Sequence, residues 1–326
     1  MKVAVIGVGE IALLHLNALK ETNQEIVALC DIKPEKCKKA NEEFSLNATI
    51  YEDYKEMIDT EKLDAVHICT PHYLHAEMII YALNKNVNVL SEKPVAISYK
   101  QLEEIEKAVK SSKAIIGVCQ QNRYNEASLF AKNYFRDKKI KSAYGSLIWK
   151  RDAEYYAQDV WRGKWATEGG GVMINQALHT LDLLQWMCGM PKSVKATTAN
   201  HSLQGKIEVE DTAFGLFTVD DETNFVMSAT NSAKYSFPIV LNFASENDVM
   251  QITMDNVILN GEFYVKKDGK SAIGKEVWGT GHVKLIGDYY KKLSNGEKFP
   301  IDFYEASKVV KLILAMYSSN GEEILI

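Results

Sequence analysis

The sequence predicts an α/β protein: an N-terminal unit built on a doubly wound parallel sheet, then an α+β unit with a large, mainly antiparallel open sheet. Three observations predict it. Apolar strand-like runs alternate with helix-periodic segments over residues 1–123, the pattern of parallel strands joined by crossover helices. The first strand, 2–6, runs directly into Gly7-Val8-Gly9-Glu10-Ile11-Ala12 and an apolar-periodic helix. The rhythm changes near residue 124, and beyond Pro191 short β-type segments follow one another, separated by polar turns. The expected domains are therefore 1–123 and 124–326, with the C-terminal helix packing back on the first.

The composition fits this division. A chain of 326 residues is long enough for two domains of ordinary size, and 46% apolar with 25% charged residues supplies cores without pointing to disorder. The net charge of -5 argues against a general nucleic-acid surface. Cys30, Cys37, Cys69, Cys119 and Cys188 are scattered, in no zinc or disulfide spacing, so no metal is expected. Nothing resembles a leader or a membrane span, and a cytoplasmic protein without membrane contact is the expectation.

The glycine turn carries the first chemical signal. Gly7 allows a tight turn, Gly9 lets a pyrophosphate approach the backbone, Ala12 permits close helix–strand packing, and the N–H groups around Glu10 and Ile11 can face phosphates. The same pattern also occurs as a tight turn without a ligand. A second strand, 25–30, ends at Asp31, twenty-four residues after Gly7, near the interval for a carboxylate that binds a ribose 2′-OH. That charge repels a 2′-phosphate, so NAD is preferred over NADP. Lys33 keeps NADP open, and Asp31-Ile32-Lys33-Pro34 also reads as a loop and helix cap.

Next come helices over 34–44 and 54–58, with a short third strand at Tyr51 before the second. A strand at 63–69 ends in Thr70-Pro71-His72 and leads into a helix through Leu83. Ligands of open α/β sheets bind beyond the carboxyl ends of strands, which makes Thr70 and Pro71 cofactor neighbours. His72 and His75 either face that site or cap the helix and meet solvent. The strand 87–90 ends at Ser91-Glu92-Lys93-Pro94, and Ser98 with Gln101 forms a capping box for the helix that follows. The strand 114–119 ends at Gln120-Gln121-Asn122-Arg123. Glu92 and Lys93 read either as a salt bridge at a strand end or as a catalytic lysine with its supporting carboxylate.

The second half opens with a helix over 127–134 and a strand over 143–150. A polar and aromatic stretch follows, with Arg151, Tyr155, Tyr156, Trp161, Arg162 and Trp165, then Glu168-Gly169-Gly170-Gly171 and a helix over 172–187. Asn175 and His179 are four apart and share a helix face, with Asp182 close to it. They are either a satisfied core network or a reactive wall. Strands are expected over 194–202, 211–219, 223–229, 238–244 and 249–254, with a turn at Asn260-Gly261. A loop over 274–279, a helix from about 279 through Leu293 and a last helix over 303–317 capped by Asp302 complete the chain.

Oxidation of an alcohol needs a nicotinamide face, a base and groups that fix the reacting carbon. His179 suits proton transfer because its reference pKa is near neutral, and Lys93 can polarise the substrate oxygen. Taken together, Gly7-x-Gly9-x-x-Ala12, Asp31, Thr70-Pro71, Glu92-Lys93-Pro94, Gln121-x-Arg123 and the glycine-led Asn175-x-x-x-His179-x-x-Asp182 helix resemble the glucose-fructose oxidoreductase / inositol dehydrogenase family (Gfo/Idh/MocA) over almost the whole chain.

That resemblance implies a Rossmann domain, a second domain whose open sheet forms dimer or tetramer contacts, and reversible NAD(P)-dependent oxidation of a sugar or cyclitol hydroxyl. It implies a cofactor site of Gly7, Gly9, Glu10, Ile11, Asp31, Ile32, Thr70, Pro71, His75, Glu92, Lys93 and Gln121. Lys93 and His179 take the catalytic roles. Asn175 stands where the family often has aspartate, so it is expected to position substrate rather than act as a base. Arg151, Tyr155, Trp161, Arg162, Trp165, Asn175 and Asp182 are the substrate-side candidates, although the arginines and aromatics also read as interface packing. The substrate is a sugar, cyclitol or nucleotide-linked sugar. Two alternatives stand beside net dehydrogenation: a hydrolase or isomerase that retains NAD for transient oxidation, and a non-catalytic dinucleotide sensor.

Overall fold

The computed structural model describes residues 1–253, 256–265 and 281–326. The expected loop over 274–279, the start of a helix at 279 and the last residue of the 249–254 strand lie outside the described residues. The chain divides into two compact units, Met1–Tyr124 with Gly269–Ser307, and Asn125–Asp268 with Lys308–Ile326.

The first unit alternates strands and helices in the predicted order. These are β1 (Lys2–Ile6), α1 (Glu10–Glu21), β2 (Glu25–Cys30), α2 (Pro34–Glu43), β3 (Thr49–Tyr51), α3 (Tyr54–Thr60), β4 (Ala65–Ile68), α4 (His72–Asn84), β5 (Asn88–Ser91), α5 (Tyr99–Ser111) and β6 (Ile116–Val118). A 3₁₀ turn, Gln121–Tyr124, follows. The strands form one sheet in the order β3-β2-β1-β4-β5-β6. Every neighbouring pair is parallel. The order reverses between β1 and β4, and crevices for ligands open at such reversals. All four residues of β4 are buried, His67 included, so the strand shows no alternation between faces. Ser98 Oγ accepts from Gln101 N at 3.2 Å, and the Gln101 side chain returns to Ile97 N at 2.8 Å, one residue earlier than the ideal box.

The second unit holds α6 (Glu126–Tyr134), β7 (Ser142–Ile148), α7 (Ala153–Ala157), a π-helical turn (Met173–Ala177) and α8 (Leu178–Cys188). Its further strands are β8 (Ser193–Ala199), β9 (Thr212–Thr218), β10 (Asn224–Thr230), β11 (Val240–Ala244), β12 (Val249–Ile252), β13 (Asn256–Leu259) and β14 (Glu262–Val265). α9 (Gly281–Ser294), α10 (Phe303–Ser319) and β15 (Glu323–Leu325) complete the order. Among the described residues the sheet has the strand order β14-β13-β12-β11-β7-β10-β9-β8-β15. Only β7 and β10 run parallel, so the sheet is mainly antiparallel, as predicted. β7, β9 and β10 alternate buried with more exposed residues, the signature of a sheet covered on one face. α8 covers that face. A Cβ at Gly145 would lie 2.8 Å from Leu184 Cδ1, so glycine lets helix and strand approach.

Several elements escape the sequence reading. α7 is a five-residue helix, too short for a period, held by its cap from Asp152 Oδ1 to Tyr155 N at 3.1 Å. β13 and β14 flank the expected Asn260-Gly261 turn, where φ is +52° and +86°, the left-handed pair that hairpins favour. β15 is a three-residue edge strand with no apolar alternation to read. Asp302 caps α10 as predicted, accepting from Glu305 N at 2.9 Å.

Candidate functional site

The predicted cofactor residues stand at the carboxyl ends of adjacent strands of one sheet. Gly7 follows β1, Asp31 follows β2, Thr70 follows β4, Glu92 follows β5, and Gln121 follows β6. Gly7 has φ +82°, and a Cβ there would lie 2.8 Å from the Cys69 carbonyl, so the turn requires glycine. Gly9 is different. Its φ is -92°, and a Cβ there would meet nothing within 4 Å. Packing among the described residues does not explain this glycine. Ala12 is fully buried against the sheet.

Asp31 is tied to this turn. Its Oδ2 accepts from Val8 N at 2.8 Å, its Oδ1 accepts from Lys33 N at 2.9 Å, and Lys36 Nζ lies 3.9 Å away. Ile32 beside it is 82% exposed, an apolar side chain with no core to fill. His75 is fully buried, and its ring nitrogens lie 2.8 Å from the carbonyl oxygens of Thr70 and of Pro94. Burial holds its pKa below the usual histidine value, so the neutral ring donates to one of these carbonyls. His75 thus braces the turns after β4 and β5, with both ring nitrogens aimed at backbone. Of the Gln121-x-Arg123 pair, Gln121 is 4% exposed, and Arg123 forms a buried ion pair with Glu305 at 2.8 Å.

Glu92 sits in a network that the sequence did not reveal. The carboxylate is 5% exposed, and its Oε1 lies 3.0 Å from His15 Nε2 and 3.3 Å from His282 Nε2. His15 Nδ1 meets His67 Nδ1 at 2.7 Å, and His67 Nε2 meets the Tyr290 hydroxyl at 2.7 Å. One assignment of protons satisfies the chain: Tyr290 O–H donates to His67, His67 Nδ1–H donates to His15, and His15 Nε2–H donates to Glu92. Both rings are then neutral, in keeping with burial, which lowers the pKa of His15 and lowers that of His67 further. Burial alone would raise the Glu92 carboxyl, but the bonds from His15 and His282 hold it well below the usual carboxylate range. Glu92 Oε2 also accepts from Lys93 N at 3.2 Å, so the lysine's backbone rests on a buried anion. Lys93 itself is half-buried, and its peptide bond to Pro94 is cis. His15, Glu92 and Cys119 offer ligand atoms within 4.8 Å of one another, spacing a metal ion could bridge, but hydrogen bonds already join the first two.

On the second unit the three glycines are explained by backbone conformation at Gly169 and Gly170 and by close approach at Gly170 and Gly171. Gly169 and Gly170 have φ +85° and +147°. A Cβ on Gly170 would strike the Tyr317 hydroxyl, and one on Gly171 would strike the Glu210 carbonyl. The buried Glu210 carboxylate accepts from Gly171 N at 2.8 Å, Met173 N at 3.0 Å and Tyr317 O–H at 2.9 Å. Burial pushes its pKa up to about 7 against these bonds. Glu168, also fully buried, accepts from Gly163 N at 2.5 Å and from the Asn175 side-chain amide.

The histidine helix is irregular at its start: Met173–Ala177 forms a π-helical turn, and regular α-helix starts only at Leu178. Asn175 and His179 are both half-buried, and Asp182 is 1% exposed inside α8.

The aromatic stretch is brought together. Tyr155 O–H accepts from Arg162 and, at 3.2 Å, from Gln176 Nε2. Gln176 Oε1 accepts from Asn231, which also donates to Tyr156 O–H at 3.0 Å. The guanidinium of Arg162 lies over the rings of Tyr155 and Trp161, at 4.6 and 4.8 Å. Trp165 is set differently, bonded through Nε1 to Glu208 O and packed edge-on against Tyr317. Sequence reading missed Glu168, Gln176, Glu210, Asn231 and Tyr317. Glu168 and Gln176 carried a local signal, since both adjoin motif residues, but Glu210, Asn231 and Tyr317 reach the site only through folding.

A parallel sheet in this strand order, with a glycine turn at its reversal point, and a second unit whose open sheet backs a glycine-led histidine helix define a two-unit dinucleotide-fold oxidoreductase scaffold. The chain belongs to the GFO/IDH/MocA oxidoreductase family: residues 1–120 match its NAD-binding Rossmann fold, and residues 139–248 match its C-terminal domain. It is 26% identical over 190 residues to inositol 2-dehydrogenase of Salmonella paratyphi B, covering 57% of this chain and 54% of that protein. It is 28% identical to 2,7-anhydro-N-acetylneuraminate hydratase of Mediterraneibacter gnavus, covering 72% of this chain and 59% of that protein. The chain thus spans little more than half the length of these curated relatives. Among solved structures, the WlbA dehydrogenase of Chromobacterium violaceum, in complex with NADH and UDP-GlcNAcA, superposes with a TM-score of 0.87 at 26% identity, covering 100% of this chain and 96% of that one. No helix of the described residues is long and apolar enough to cross a membrane.

Proposed function

We propose that the chain is an NAD(H)-dependent oxidoreductase acting on a secondary hydroxyl of a sugar, cyclitol or sugar derivative. The observation that carries this reading is the cradle at the strand ends: a Cβ on Gly9 would meet nothing within 4 Å among the described residues, and Asp31 is anchored beside it on Val8 N. NAD(H), when bound, supplies the hydride acceptor or donor. The backbone N–H groups at the start of α1 receive the pyrophosphate, Asp31 accepts from the ribose hydroxyl, and Ile32 offers its exposed face to the adenine. Thr70 and Pro71 flank the cofactor after β4, and Gln121 flanks it after β6. Lys93 polarises the substrate oxygen from the end of β5, and His179 exchanges the hydroxyl proton. Asn175, oriented by Glu168, positions the substrate.

Calorimetry with NADH and NADPH tests the cofactor, and a polyol, sugar and nucleotide-sugar panel monitored for NADH formation tests the reaction. NADH is expected to bind more tightly than NADPH. Asp31→Ser is expected to shift that ratio toward NADPH by roughly tenfold or more, because a buried carboxylate no longer opposes the 2′-phosphate. Binding of neither dinucleotide rejects the reading. The hydratase among the relatives supports a second reading, transient oxidation on retained NAD. Substrate conversion without accumulated NADH, on protein that purifies with NAD, would select it.

We infer that the chain assembles through the open side of the nine-stranded sheet. Lys195, Leu216, Val226, Tyr144 and Asn242 form one cross-strand row there. Leu216 is 41% exposed and Phe214 53%, a sizeable apolar surface for an open sheet to leave in water. The family resemblance supports a homodimer or homotetramer through this face. Sedimentation of the parent chain should show an oligomer and Phe214→Glu/Leu216→Glu a smaller species. A parent chain that sediments as a monomer rejects the assembly.

A further inference from the structure

We propose that Arg151 reads an anionic group, carboxylate or phosphate, on the sugar that this unit accepts. The inference deepens the reading above and rests on the second unit binding a sugar.

Arg151 follows β7 and is half-buried, with its backbone N–H bonded to Asn231 O at 3.3 Å. Its guanidinium lies over two rings, 5.0 Å from the centre of Trp149 and 4.8 Å from that of Tyr155. Such stacking fixes the plane of the cation while leaving its N–H edge free to recognise a planar or tetrahedral anion. Among the described residues the edge has one acceptor, the Lys150 carbonyl at 2.8 Å from Nη1. Among the described residues no carboxylate lies within ion-pair distance of Arg151, and its buried Nε has no hydrogen-bond partner.

The neighbouring acids are occupied elsewhere. Asp152 pairs with Lys150 at 3.1 Å and caps α7 through Tyr155 N. Asp159 holds Arg162 at 3.0 Å. Of the two guanidiniums stacked on Tyr155, Arg162 is therefore neutralised and Arg151 is not. Tyr155 links the stack to the motif helix by accepting from Gln176, the residue next to Asn175. A stacked cation whose charge no acid among the described residues answers, one side chain away from that helix, points to an acid supplied by the ligand.

The test compares D-glucose, D-glucuronate and D-glucose 6-phosphate by calorimetry on protein saturated with NADH, beside turnover with NAD. At least one acidic probe is expected to bind more tightly than glucose by roughly tenfold or more, and which one does so separates carboxylate from phosphate. Arg151→Gln should abolish that preference without weakening glucose, and Arg151→Lys should restore part of it, which a purely structural stacking role would not do. Absence of binding by both acidic probes, or equal loss for all three sugars in Arg151→Gln, overturns the assignment. Acid-selective binding without turnover keeps Arg151 in this role and rejects the dehydrogenase reading. Turnover of glucose alone does the reverse.

Discussion

Alanine at Lys93 or at His179 is expected to lower turnover by roughly 10²–10⁴-fold, the range for loss of a positioned proton-transfer or polarising group. NADH affinity should stay near that of the parent chain in both variants. The reason is positional. Lys93 rests by its backbone on a buried carboxylate at a strand end, next to the cradle rather than inside the glycine turn. His179 belongs to the second unit, on a helix whose start is held in place by the close contacts of Gly170 with Tyr317 and of Gly171 with Glu210. His179→Gln, which keeps hydrogen bonding without an imidazole that can take up and return a proton, should remain deficient. Near-normal rates in Lys93→Ala and His179→Ala on the true substrate would remove both residues from the mechanism.

The ordering of strands was readable because a doubly wound sheet is nearly all local alternation. β1, β2, β4 and β5 are apolar runs bounded by turns, and their ends coincide with Gly7, Asp31, Thr70 and Glu92. What surrounds those residues was not readable. His15 lies on α1, His67 within β4 and His282 on α9, and no local pattern links contacts between positions 52, 77 and 190 residues apart. The same holds for Glu210, whose contacts with Gly171 and Tyr317 join three distant stretches. The π-helical turn was hidden for another reason. Its sequence has ordinary helical periodicity, and the extra residue per turn is imposed by the anchoring of Gly171, Met173 and Asn175 on two buried glutamates. Motif residues could therefore be picked out from the sequence, while the partners that orient them depend on the fold.

Glu92→Ala is expected to destabilise the protein by about 3–5 kcal/mol, as for other buried charge networks that lose one partner. At the size of these units that lowers the melting temperature by on the order of 10 °C. The effect exceeds a lost hydrogen bond because the carboxylate is the acceptor at which the network ends. Without it, His15 Nε2–H and His282 lose their acceptor at 0% and 2% exposure, where little water can replace it, and the half-buried Lys93 loses the acceptor of its N–H. Acid should reproduce part of the loss. Glu92 titrates below its ordinary range when folded, so its contribution is complete above the usual carboxylate pKa and disappears as pH falls through the folded one. His15 and His67 are also depressed, so folding holds them neutral, and their contribution starts to fade higher, as pH drops below 6.5. Stability should thus decline in two stages on acidification. Glu92→Gln, which keeps the shape but not the charge, should flatten the lower stage and leave the upper one. Denaturant melts of the parent chain and both variants from neutral pH downward measure this directly. An unchanged lower stage in Glu92→Gln would mean that the buried anion beside Lys93 is not what the acid limb titrates.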